Sequence, residues 1–333
     1  MMNLPDTMNH IGLREHGGAD KMHIVHSPLP QPHAGQVLIR VMASGVNRAD
    51  IMQRTGKYPP PPGVPDVLGL EVAGEIIALG EGVTAWHVGD IVCALVSGGG
   101  YAEYAVAEAG LCLPIPDDVH ITDAAGLPEA VFTAYSNLVM TAHLHAGEIV
   151  LIHAGASGVG TMAIQLARAL GAHVITTVGT HEKQTFCTDL GAELAINYTR
   201  EDFASKVIAH THGAGVNVIL DMIGGVTTEK NLELLATNGR MVVIACPYGP
   251  STHIRLTTLM QKRLQVMGTT LRSRPLAEKI AIAEAVREQV WPLFAVGKIK
   301  PVTYQQLKLS EAPVAHRILE SRQHIGKIIL TSG

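Results

Sequence analysis

The chain has 333 residues, of which 47% are hydrophobic and 16% charged, with a formal net charge of −4. At ~150 residues per domain this length suggests two domains, and the acidic balance gives no bulk basic surface for nucleic acid. No apolar run reaches the ~18 residues of a membrane span and the first ten residues lack the apolar core of a secretory signal, so a cytoplasmic location is expected.

In chain order, residues 36–43 alternate apolar and polar like a half-buried strand, and 68–79 contains another, with glycines that permit bending. A turn and strand over 88–92 and an alternating stretch at 101–106 continue a pattern closer to a barrel than to a layered sheet. Between them lies VNRADIMQRTGKYPPPP, residues 46–62. Residues 48–54 predict a short helix, and Gly56 with the prolines 59–62 enforces an extended loop. Asn47 and Tyr58 bracket this segment. They either line a cleft, with hydrogen-bonding groups suited to a carbonyl oxygen, or brace the loop.

Residues 127–144 read as one helix passing from the first domain into the second. Then comes the stretch around which the rest is organised, the apolar run 149–152 followed by the glycine turn GASGVG (155–160) and an amphipathic helix to Leu170. Glycines let a backbone approach a pyrophosphate whose charge faces the first N–H groups of the helix. The usual fingerprint has glycines at its first, third and sixth positions, whereas this turn has Ser157 third, so the turn alone fits either a dinucleotide site or tight packing. A second β-branched strand, 172–178, ends in Gly179-Thr180 rather than in the acid that would hold an NAD ribose. NADP(H) therefore fits better. Lys183 would neutralise the 2′-phosphate with Tyr198 packed beside it, or else is a solvated helix lysine.

Further strands are expected at 216–225, 240–245 and 264–270, with a helix ending at Asn238-Gly239. Their loops at Gly224, Cys246 and Leu271 share the carboxyl edge of a doubly wound parallel sheet with the glycine turn. Residues 275–296 predict one long amphipathic helix, Ser310-Glu311 caps another running to Ser321, and 327–330 returns to a strand of the N-terminal barrel. Cys93, Cys112, Cys187 and Cys246 form no close pair and read as reduced structural thiols. The seventeen histidines are scattered, and no metal site is expected.

The 46–62 block, the GASGVG turn and LDMIGG (220–225) together resemble the zinc-free, zeta-crystallin-like quinone oxidoreductase branch of the medium-chain dehydrogenase/reductase superfamily, closest to the tumour-suppressor-induced subgroup. The resemblance spans nearly the whole chain. It implies an α/β protein with a GroES-like β-barrel substrate domain (1–128, completed by 273–333) and a Rossmann NADPH-binding domain (129–272). It further implies that Gly155, Ser157, Gly158 and Val159 meet the pyrophosphate. Gly179, Lys183 and Tyr198 would surround the adenosine phosphate, Gly224, Cys246, Leu271 and Arg272 would lie toward the nicotinamide side, and Asn47, Tyr58 and Thr133 would face the substrate. The edge strand 264–270 would join two copies into a homodimer. Zinc-bearing relatives have a cysteine ligand where this chain has Val46-Asn47, and G-H-E where it has Gly69-Leu70-Glu71. Glu71 is accordingly expected to be structural.

The expected activity is NADPH-dependent reduction of a small quinone in the inter-domain cleft, without zinc and without a Ser-His-Asp group or paired carboxylates. Reduction of an enone or enal double bond is the nearest enzymatic alternative. A crystallin-like or RNA-binding role for the NADPH complex is the non-enzymatic one.

Overall fold

The computed structural model describes residues 4–332. The chain divides into two compact units, one formed by 1–130 and 272–333, the other by 131–271.

The first unit begins with an antiparallel hairpin of β1 (Thr7–Leu13) and β2 (Met22–Pro28), which the sequence pattern did not reveal. The long strand β3 (Gln36–Val46) then feeds helix α1 (Arg48–Arg54). Strands β4 (Glu71–Leu79), β5 (Ile91–Leu95), β6 (Tyr104–Glu108) and β7 (Cys112–Pro114) follow. β4 and β6 both pair antiparallel with β3, and the buried faces of β3, β4, β5 and β6 enclose a core that includes Val37, Ile39, Val72, Ile76, Val92 and Ala105. Instead of one helix over 127–144, short α2 (Ile121–Ala124) precedes α3 (Pro128–Tyr135), which continues into a π-helical stretch, Ser136–Thr141. There the Asn137 side-chain amide takes the carbonyl of Thr133 at 2.8 Å, and a side chain inserted into the backbone ladder widens a helix in this way.

The second unit is a six-stranded parallel sheet. Strand β8 (Ile149–Ile152) leads into α4 (Gly158–Ala169), β9 (His173–Val178) into α5 (His181–Leu190), and β10 (Leu194–Asn197) into α6 (Phe203–His210). Strands β11 (Val216–Asp221), β12 (Leu235–Val243) and β13 (Gln265–Gly268) alternate with α7 (Thr228–Leu234) and α8 (Leu256–Lys262). The order β10-β9-β8-β11-β12-β13 reverses direction between β8 and β11, and such a switch point is where open α/β sheets bind their ligands. Helix α7 stops at Leu234, four residues before the expected Asn238-Gly239 end. The chain enters β12 there and bulges, pairing Val216 with Leu235 and then Val218 with Arg240, with Asn238 at φ 63°. Leu151, Ile175, Ile196, Ile219 and Met241 fill the core on one face.

The tail returns to the first unit. The single helix expected over 275–296 is two, α9 (Leu276–Gln289) and α10 (Trp291–Ala295). Pro292 in the first turn of α10 has no N–H to continue the ladder, so the chain breaks at Val290. After β14 (Thr303–Lys308), helix α11 (Ala312–Ser321) starts without a Ser310 cap; the Glu311 carboxylate accepts from the Lys308 N–H at 2.8 Å instead. Strand β15 (Lys327–Thr331) pairs antiparallel with β3 and parallel with β14, extending the seven-stranded sheet. Among the described residues no helix is long and apolar enough to cross a membrane.

Candidate active site

In the second unit the glycine turn closes β8 onto α4. The Ser157 hydroxyl caps the helix by accepting from Gly160 N–H at 3.0 Å. Ala154 is held at φ 52°. A Cβ at Gly155 would overlap the Thr176 hydroxyl, and one at Gly160 would overlap the Ala154 carbonyl oxygen. The turn is thus as tight as its glycines allow, and the free N–H groups at the start of α4, where Gly158 and Val159 sit, form a cradle for an anion.

At the end of β9, a Cβ on Gly179 would lie 2.8 Å from the Tyr198 hydroxyl, so the half-exposed phenol occupies the place above this strand end. Thr180 caps α5 through Lys183 N–H at 3.2 Å. Lys183 is half-buried, and burial lowers its pKa. The strand end Val178-Gly179-Thr180 carries no acid, and the first turn of α5 carries Glu182 and Lys183 side by side.

A buried relay fixes the next loop. His153 Nε2–H donates to Asn231 at 2.9 Å and Nδ1 accepts from the Thr177 hydroxyl at 2.8 Å. This is the neutral tautomer, in keeping with a pKa lowered by burial. Asn231 in turn donates to Asp221 at 3.3 Å, whose other oxygen accepts from Ile223 and Gly224 N–H at 2.8 and 3.1 Å. Gly224 has φ 75°, and a Cβ there would lie 2.5 Å from that of Cys246, so the two loops touch at the carboxyl edge. Cys246 is exposed, whereas Cys93, Cys112 and Cys187 are buried; all four are free thiols. Leu271 ends this unit, and Thr133 belongs to it as well, buried on α3 with its carbonyl accepting from Asn137.

The first unit holds Asn47, Tyr58 and Arg272. Asn47 caps the start of α1, where its N–H donates to Asp50 at 2.7 Å. Its side chain donates to Glu71 at 2.8 Å and accepts from Lys327 at 2.7 Å, so both ends of the amide are engaged within the protein. Lys327 also pairs with fully buried Glu71, whose second oxygen accepts from Glu129 N–H at 2.9 Å. Beside this cluster, Asp50 accepts from the Tyr101 hydroxyl at 2.9 Å and from Gly69 N–H at 3.2 Å, and burial pushes its pKa up to about 6. The Tyr101 hydroxyl lies 3.1 Å from His316 Nε2, and His316 is pushed down to about 3, chiefly by burial.

Tyr58 stands apart from this braced network. Its ring lies 5.5 Å from the guanidinium of Arg272. Burial, then Glu129, raises its hydroxyl pKa. Arg272 is 7% exposed and donates Nε to the Ser97 carbonyl at 2.7 Å, yet both terminal nitrogens are buried without a partner. The sequence singled out neither Glu129 nor Lys327. No group of three or more His, Cys, Asp and Glu residues among the described residues is arranged to hold a metal ion.

Comparison with known proteins agrees with this architecture. Residues 33–117 match the alcohol dehydrogenase GroES-like domain, and residues 158–287 match the family described as zinc-binding dehydrogenase. The chain is 33% identical over 328 residues to the quinone oxidoreductase of Rattus norvegicus, covering 97% of each. The structure of Escherichia coli quinone oxidoreductase complexed with NADPH superposes with a TM-score of 0.87 at 32% identity, covering 97% of this chain and all of that one. The CurK enoyl reductase superposes with a TM-score of 0.86 at 27% identity, covering 98% and 99%. The chain belongs to the medium-chain dehydrogenase/reductase family of oxidoreductases, in its quinone oxidoreductase branch.

Proposed function

We propose that this protein is an NADPH-dependent reductase of small quinones that works without zinc. The observation that carries the cofactor reading is the end of β9, where Gly179, Tyr198 and Lys183 replace the acid an NAD ribose would require. Gly155, Ser157, Gly158 and Val159 would hold the pyrophosphate, and Gly224, Cys246, Leu271 and Arg272 the nicotinamide half. Bound there, the cofactor supplies a hydride. The chain's own part is to bind, orient and stabilise charge. Tyr58 and Arg272 would donate hydrogen bonds to an acceptor oxygen as it gains negative charge, a role worth a few kcal/mol in a preformed site.

The zinc-free reading rests on the positions at which zinc-bearing relatives have ligands. Here they carry Val46, Asn47 and Leu70, and the Asn47 amide is committed to Glu71 and Lys327. The enone reading has the enoyl reductase likeness in its favour. A homodimer through β13 is supported by its place at the end of the sheet with Val266 39% exposed, since an open apolar edge favours pairing. We assign the protein to the cytoplasm on the same reading. The test is a comparison of NADPH oxidation with an ortho-quinone, a para-quinone and an alkenal. Faster turnover of a quinone supports the proposal, and turnover of the alkenal alone overturns it. Tyr58→Phe should lower kcat, and unchanged kinetics would remove Tyr58 from the mechanism.

A further inference from the structure

The lysines and arginines buried among the described residues, Arg54, Arg272, Lys279 and Lys327, all belong to the first unit. Buried cations are as a rule paired. Arg54 meets Glu320 at 2.5 Å, and Lys327 meets Glu71. Arg272 and Lys279, each 7% exposed, break the rule, since neither has an ion-pair partner among the described residues. They nevertheless stand together. Arg272 Nε–H donates to the Ser97 carbonyl at 2.7 Å. The Lys279 ammonium, in the first turn of α9, donates to the Ser97 hydroxyl at 3.3 Å and to the Arg272 carbonyl at 3.5 Å. Two like charges are thus held on one serine, and burial lowers the pKa of both.

Of the guanidinium's N–H groups only the one on Nε is used, and Nη1 and Nη2 are buried without a partner. The acids of this unit do not fill the place. Asp50 is bonded to Tyr101 and Asp66 to Gln53, while Glu108 and Glu129 act on the two cations only from a distance. The Tyr58 ring covers one face of the guanidinium, with its centre 5.5 Å away. Its loop is free to swing. Gly56 at φ 73° and Gly63 at φ 81° flank it, and Pro59 to Pro62 have no N–H to pin it. From Tyr58 to Val64 its backbone donates one hydrogen bond among the described residues, from Val64 N–H to the Pro61 carbonyl at 3.2 Å.

Building on the quinone-reductase reading, we propose that Arg272 and Lys279 form an anion site and that the acceptor is a quinone bearing a carboxylate, admitted as Tyr58 turns aside. A guanidinium presents parallel N–H groups that match the two oxygens of a carboxylate, and the phenol ring beside it offers a flat face to an aromatic body. The N–H groups of Nη1 and Nη2 together suffice for that carboxylate and for a neighbouring carbonyl oxygen that gains charge. On the same reading the cofactor's phosphates have their own donors at the starts of α4 and α5, which leaves this site to the acceptor.

The experiment reads binding and turnover separately. Calorimetry with naphthoate and with neutral naphthamide, neither of them an electron acceptor, should show naphthoate bound at least about 10-fold more tightly, the range of a charge-assisted hydrogen-bonded pair. That preference should vanish in Arg272→Gln and shrink in Lys279→Met. NADPH turnover of a naphthoquinone carboxylate and of its methyl ester should show the same split in kcat/KM, again lost in Arg272→Gln. Equal affinity for naphthoate and naphthamide overturns the proposal. Inorganic phosphate bound through Arg272 as tightly as naphthoate overturns it too, by assigning the site to a free anion. Should Arg272→Gln not fold, a preference unchanged in Lys279→Met overturns it equally. Acid and ester turned over alike would remove this site and leave the quinone reading standing. Naphthoate held through Arg272 by a protein that reduces no quinone would instead remove that reading, and the acceptor named here with it.

Discussion

Replacing Lys327 with Met would strand Glu71. The carboxylate is fully buried and the ammonium 7% exposed, so neither is solvated and their attraction is little screened. Removing one member of a buried ion pair costs about 3–5 kcal/mol. Here the lower end, ~3 kcal/mol, is expected, because Glu71 keeps the Asn47 amide at 2.8 Å and Glu129 N–H at 2.9 Å. At about 2–4 °C per kcal/mol for a domain of roughly 200 residues, the midpoint should fall by about 6–12 °C. The Glu71→Gln, Lys327→Met double variant should recover most of the loss, since it buries no unpaired charge. Urea and thermal unfolding of all four proteins would close the cycle. A Lys327→Met loss below ~1 kcal/mol would refute the reasoning, because it would mean that water reaches Glu71 or that the pair contributes nothing.

Other outcomes follow from the same geometry. Gly160→Ala places a methyl group on the Ala154 carbonyl oxygen, which cannot move without opening the turn. It should cost about 1–3 kcal/mol of stability and lower NADPH affinity at least ~10-fold in calorimetry, and an unchanged affinity would contradict a role for the turn. Lys183→Ala should weaken NADPH about 10-fold and spare NADH, whereas equal loss for both would remove the phosphate contact. His316 contributes stability that is complete above its unfolded pKa of 6.5 and is lost as pH falls toward about 3, whereas Asp50 contributes stability complete below 3.8 and lost as pH rises through about 6. The two offset each other between about pH 4 and 6. In His316→Gln, unfolding free energy should therefore rise as pH falls from 6 to 4 by up to ~1.4 kcal/mol per pH unit, and a flat profile would contradict this.

What could be read from the sequence was what is local. The run 149–152, the turn 155–160 and the helix after it announce themselves within about twenty residues, and the pattern of strand, helix and loop along 149–271 implied the parallel sheet that the structure contains. The β1–β2 hairpin was missed because the buried positions of β1 are Met8, Ile11 and Gly12, a spacing that does not alternate. Helix breaks were missed where one residue overrules periodicity, as Pro292 and Asn137 do. In the site, a single acid after Pro128 reads as a favourable charge at a helix start, and Lys327 at the head of an apolar strand reads as solvated. Both acquire their chemistry from partners far away in sequence; Lys327 meets Glu71 across 256 positions. The residues around Asn47 fit either a side chain lining a cleft or one bracing its loop, and its polar atoms hold that ion pair, a commitment visible only once β15 is laid beside β3.

The central claim is that this chain binds NADPH and passes its reducing equivalents to a quinone without a bound metal ion. The most direct measurement is titration with NADPH and with NADH, followed by quinone turnover with the preferred coenzyme before and after exhaustive chelation. Tighter binding of NADPH with turnover unaffected by the chelator is predicted. Failure to bind either coenzyme, or activity that disappears on chelation and returns with zinc, would contradict it.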